Sequence, residues 1–158
     1  MGADASLVRS MREYQGVLDS ALLDRLGEAL DQPGVVLASL FGSQVAGKPG
    51  PLSDVDVAVW LDPGLQASER LDARLRLLTA AEGVLGERSV DLVVLNDAPP
   101  LLQNRASRGR LKLVERDPRA RVRLESEALI RFLDTEPLRA ELATGLSRRL
   151  EEGRFGRP

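Results

Sequence analysis

The stretch that most constrains this chain is Asp54-Val55-Asp56-Val57-Ala58-Val59-Trp60-Leu61. Polar and apolar positions alternate with a period of two and valine recurs, so residues 54–61 read as a β-strand. Val55, Val57, Val59 and Leu61 make one face, while Asp54 and Asp56 leave the other with Cα atoms about 6–7 Å apart. A slip of one residue would bury both carboxylates, so the apolar stripe fixes the register and the direction of the acids. Two close carboxylates repel, raising the pKa of at least one unless a cation neutralises them. The pair therefore converges on one site and favours a cation there.

The remaining pattern supplies partners for that strand. Apolar positions at helical spacing (Leu7, Met11, Tyr14, then Leu18, Leu22, Leu26, Leu30), ended by Pro33-Gly34, predict one or two amphipathic helices within 5–32. Val35 to Phe41 is a short apolar run bounded by glycines, as in a buried strand. Residues 67–85 repeat leucine and alanine at helical spacing, Val90 to Leu95 reads as a third strand, and Pro99 to Ser107 as a short helix opening with proline. Arg110 to Val114 reads as a fourth strand, and 118–152 as a helical segment kinked at Pro137. Strands interleaved with helices make this an α/β or α+β domain. The 158 residues, without repeat or long linker, suit a single unit 1–158 with helices at 5–32, a core at 34–117 and a C-terminal helical segment at 118–152.

Composition narrows the chemistry. The chain has neither cysteine nor histidine, which excludes thiolate nucleophiles, cysteine zinc sites and the commonest general base. Catalysis must rest on carboxylates, hydroxyls, Lys or Arg. No run reaches the eighteen or so apolar residues of a membrane span, so the expected location is cytoplasmic. Residues 1–100 hold 8 Lys+Arg and 15 Asp+Glu, against 14 and 9 in 101–158. Both signs are mixed in that basic tail, as on a solvated helix face, so nucleic acid is not the leading partner.

Two further features stand beside the aspartate pair. Gly42-Ser43 falls where the first strand ends; glycine lets a phosphate approach the main chain, and a serine hydroxyl at a helix start either donates to a phosphate oxygen or caps the helix. Asp91 is the single acid in the apolar strand Val90-Asp91-Leu92-Val93-Val94, where it is costly unless at an edge, paired or bound to metal. If that strand neighbours the Asp54 strand, Asp91 reaches the same site as a ligand or as a base. Hard oxygen ligands without His or Cys favour Mg²⁺ or Mn²⁺, and Mg²⁺ fills its octahedron with phosphate oxygens and water.

Gly-Ser, a ten-residue gap, Asp-x-Asp and a further Asp on a later strand resemble the signature of polymerase-β-type nucleotidyltransferases. The Ser53-Asp54-Val55-Asp56 form, the Val90-Asp91-Leu92-Val93 strand and the Arg108-Gly109-Arg110-Leu111 turn look most like the minimal nucleotidyltransferase group, whose MntA-like antitoxins pair with HEPN toxins. The resemblance spans 34–117. It implies a small mixed sheet flanked by helices, Gly42 and Ser43 holding the triphosphate of ATP, Asp54 and Asp56 binding two Mg²⁺ ions, and Asp91 completing the triad. It further implies AMP transfer to a tyrosine of a cognate HEPN RNase toxin in a hetero-oligomer. One departure stands out: many relatives carry arginine before the glycine that closes the turn, where this chain has Ala46, with Lys48, Arg108 and Arg110 as candidate replacements. Transfer to a small molecule such as an aminoglycoside, and neutralisation of a partner by contact alone, are the alternative readings.

Overall fold

The computed structural model describes residues 18–45 and 54–151. Helix α1 (Ser20–Leu30) starts where the Asp19 carboxylate accepts a hydrogen bond from the Leu22 amide at 2.7 Å, and it buries Leu23, Leu26 and Leu30. Gly34, at φ +86°, turns the chain into strand β1 (Val35–Phe41), and a short 3-10 turn, Gly42–Gln44, follows. Strand β2 (Val55–Leu61) leads to helix α2 (Ala67–Leu85), opened by a reciprocal cap between Gln66 and Glu69 and stopped at Gly86, where φ is +66°. Then come β3 (Val90–Val94), a 3-10 turn (Leu95–Asp97), α3 (Pro100–Ser107) and β4 (Leu111–Glu115). Helices α4 (Pro118–Asp134) and α5 (Glu136–Glu151) close the order.

The four strands form one mixed sheet in the order β3-β2-β1-β4. β1 runs antiparallel to both β2 and β4, while β2 and β3 are parallel, joined through α2. Each face of the sheet is covered. Val55, Val57, Val59 and Leu61 pack with α1 and α2 through Leu23, Leu26, Leu30, Ala73, Leu77 and Ala81. On the other face Ala58 and Trp60 pack with Ala106 of α3 and with Leu124 and Ala128 of α4. Full burial of each such leucine is worth about 1.5–3 kcal/mol, so the alternation in β2 is held firmly from both sides.

The elements agree with the sequence pattern to within a residue or two, with informative exceptions. Asp54 stands just before β2 rather than in it and is exposed. The C-terminal helical segment breaks at Thr135 and not at Pro137, because proline fits the first turn of a new helix, where its missing N–H has no partner to lose. In α5, Leu138, Leu142, Leu146 and Leu150 remain exposed. The expected helical pattern over 5–17 lies outside the described residues. Among the described residues no helix is long and apolar enough to cross a membrane.

Candidate active site

Strand pairing lines up three positions across the sheet: Phe41 is the partner of Asp56, and Asp56 is the partner of Asp91. Directly paired residues project to the same face, and adjacent strands lie about 4.8 Å apart, so the Asp56 and Asp91 side chains stand side by side. That face is the one covered farther along by α3 and α4. At this end of the sheet it opens: Asp91 is exposed and Asp56 is half-buried. Asp54 precedes Asp56 at the mouth of β2, where the Val55 amide donates to the Ser89 carbonyl and ties the starts of β2 and β3 together. Two parallel strands therefore begin at one level, bringing acids 35 positions apart in sequence onto one edge.

The Gly42 turn lies over this row. Gly42 has φ +73°, and a Cβ built there would sit 2.2 Å from Asp56 Oδ2 and 3.1 Å from its Cγ. Glycine is thus required twice, by the left-handed backbone and by the carboxylate against it. The turn carries no side-chain cap, and its N-cap position is Phe41. Ser43 therefore does not cap this turn; it is partly exposed one residue from the Gly42–Asp56 contact.

The electrostatics follow from the crowding. The Asp56 carboxyl is raised above its ordinary value, first by burial and then by the negative charges of Asp91 and Asp54. Asp56 thus feels both of the acids beside it. Among the described residues no three acids stand close enough together to hold a metal ion by themselves. What the structure provides is an open acidic edge of hard oxygens next to a turn that main-chain ligands can approach, which fits a divalent ion that takes one or two carboxylates and fills its remaining positions with phosphate and water.

Of the candidate replacement cations, Arg110 is committed elsewhere: it pairs with Glu125 at 2.8 Å and donates to the Ser107 carbonyl at 2.8 Å. Arg108 is exposed at the end of α3. Ala46 and Lys48 lie outside the described residues.

The structure also shows a cleft that the sequence did not announce. It holds about 410 Å³ and is lined by Phe41, Leu71, Asp91, Val93, Pro99 and Leu102, with Arg70, Arg74 and Asp97 at its polar margin. It lies across the outer edge of β3, between α2 and α3. The Arg70 guanidinium forks onto Asp97 at 2.8 and 2.7 Å, and Arg74 Nε donates to the Leu92 carbonyl at 3.1 Å. The spacing of Arg70 and Arg74 on one face of α2 was a signal of a shared task. Their acceptors, on and just after β3, are visible only once the chain is folded.

Comparison with known proteins agrees with the fold. The family model described as polymerase beta, nucleotidyltransferase matches residues 27–119. No curated protein sequence matches the chain. Among solved structures, a toxin–antitoxin complex with AMP-PNP is similar at TM-score 0.60 and 21% identity, and a mutant MntA–HepT toxin–antitoxin complex at 0.64 and 20%. A tri-AMPylated Shewanella oneidensis HEPN toxin in complex with MNT antitoxin is similar at 0.62 and 19%. Each of the three likenesses covers 82% of this chain and 99% of the other. At such identity the likeness shows the fold.

Proposed function

The chain belongs to the polymerase β nucleotidyltransferase family, and we propose that it transfers AMP from ATP to a tyrosine hydroxyl of a HEPN-type RNase toxin, acting in the cytoplasm as the antitoxin. The observation that carries this reading is the grouping of Asp54, Asp56 and Asp91 at one end of the sheet with Gly42 against Asp56. It is supported by the solved relatives, one of which contains an ATP analogue and another an AMPylated toxin.

In this reading Asp54 and Asp56 hold two Mg²⁺ ions, with Asp91 as the third acidic member. When bound, the ions supply charge neutralisation for the triphosphate and a template for in-line displacement. Gly42 lets phosphate oxygens reach the main chain, and Ser43 donates its hydroxyl to them. The acceptor oxygen forms its bond to the α-phosphorus as the bond to the bridging oxygen breaks, and pyrophosphate leaves. Asp91, the most exposed of the paired acids, takes the proton of the acceptor hydroxyl. Positioning and electrostatics carry the reaction, which suits a site built of acids and main chain alone.

Incubation with ATP labelled at the α-phosphate, Mg²⁺ and a candidate toxin tests this. Label on a toxin tyrosine is the expected result. Label on an aminoglycoside instead, or a stable unlabelled complex, would replace it with one of the two alternative readings.

A further inference from the structure

We propose that the cleft across the outer edge of β3 is the acceptor subsite, receiving an aromatic side chain that carries the hydroxyl to be modified, on a segment of a partner protein. This rests on the transfer reading above and adds where the acceptor enters. Four observations carry it. Asp91 lines the cleft, so an occupant's hydroxyl lies beside the carboxylate assigned to take its proton. The walls supplied by Phe41, Leu71, Val93, Pro99 and Leu102 suit a ring, and about 410 Å³ falls within the range of small-ligand pockets. Arg70 is already committed to Asp97 and to the Leu65 carbonyl, so that guanidinium at the margin offers little further to a triphosphate. β3 is a terminal strand of the sheet, and Leu71, which lines the cleft, is 54% exposed, which suits a protein segment arriving from outside.

The cleft runs along this end of the sheet from Asp91 to Phe41, the residue before the Gly42 turn, so its occupant meets Asp56 and Asp91 on the face that they share. Leu71 is the residue to change, because its exposure lets a charge be introduced without opening the core.

The test titrates the protein with N-acetyltyrosinamide and follows backbone amides by NMR. The expected result is shifts at Arg70, Leu71, Val93 and Leu102 that persist with saturating ATP and weaken about tenfold in Leu71→Glu. Shifts confined to other regions, or displacement of the probe by ATP, would overturn the proposal. In the transfer assay, Leu71→Glu should raise KM for the acceptor protein about tenfold with KM for ATP unchanged. Equal effects on both substrates, or none, would count against the cleft. The binding titration needs no chemistry, so it decides the cleft even if the wild type transfers no AMP, a result that would reject the transfer reading alone.

Discussion

Replacing Gly42 by alanine separates two effects that usually come together. A non-glycine residue in the left-handed region costs roughly 1–2 kcal/mol, partly offset by about 0.4–1 kcal/mol from the stiffer unfolded chain. At Gly42 the added methyl would also stand 2.2 Å from Asp56 Oδ2, where ordinary contact begins at 3.4 Å, so the carboxylate must retreat. A shift of about 1 Å in a catalytic group costs on the order of 10²-fold in rate. Gly109 supplies the control: its φ of +56° is also positive, but a Cβ there meets nothing within 4 Å. Urea denaturation should therefore give both variants a similar loss of stability, about 1 kcal/mol or less. The rate of AMP transfer should fall about 100-fold for Gly42→Ala and stay near wild type for Gly109→Ala. Wild-type transfer by Gly42→Ala, or an equal loss in both variants, would refute the reasoning that the turn and Asp56 form one site.

Asp54→Asn together with Asp56→Asn should abolish transfer with the fold retained by circular dichroism, since neither substitution opens a cavity. Because the Asp56 carboxyl is raised in the folded state, its contribution to stability is complete below the ordinary value of 3.8 and is lost as pH rises through the folded value. Asp56→Asn should thus melt above the wild type at pH 7 without metal, with the gap narrowing as pH falls toward 3.8. Adding Mg²⁺ and ATP should reverse that order: ligand at 100 times its Kd stabilises by about 2.7 kcal/mol, a gain the double variant should lack. At Glu115 the sign is opposite. Burial pushes its carboxyl up, but hydrogen bonds and charges from Lys112 and Arg121 outweigh it and hold the group below 4.5. Glu115→Gln should therefore cost about 1–3 kcal/mol above pH 4.5, a difference that vanishes as pH falls through the depressed value; chemical denaturation at pH 7 and pH 3 reads it.

How much of this was legible in the chain depends on the distance over which each feature is fixed. The direction of Asp56, opposite the valine stripe, needed only the strand period, whereas Asp54 was read into a strand that begins one residue later; β1 and α2 were bounded by punctuation beside them. Gly42 and Ser43 were legible as a turn, and the contact of Gly42 with Asp56 was not. It depends on the antiparallel register that sets Phe41 opposite Asp56. Arg110 looked like a free cation for phosphate, yet folding gives it to Glu125, fifteen residues on, because α4 packs against α3, whose end Arg110 follows. The Arg70–Asp97 fork spans 27 positions, and the cleft it borders exists only between elements that the sheet brings together.

Local sequence set the chemical vocabulary: acids and main chain without histidine or cysteine, Asp56 turned away from the valine stripe by alternation, and a glycine turn after an apolar strand. Tertiary structure alone decided that β3 lies beside β2 in parallel, so that Asp91 joins Asp56 and the free strand edge opens next to it. The division is physical: side-chain direction within a strand follows from local backbone geometry, whereas strand order and register follow from how helices and sheet bury their apolar faces together.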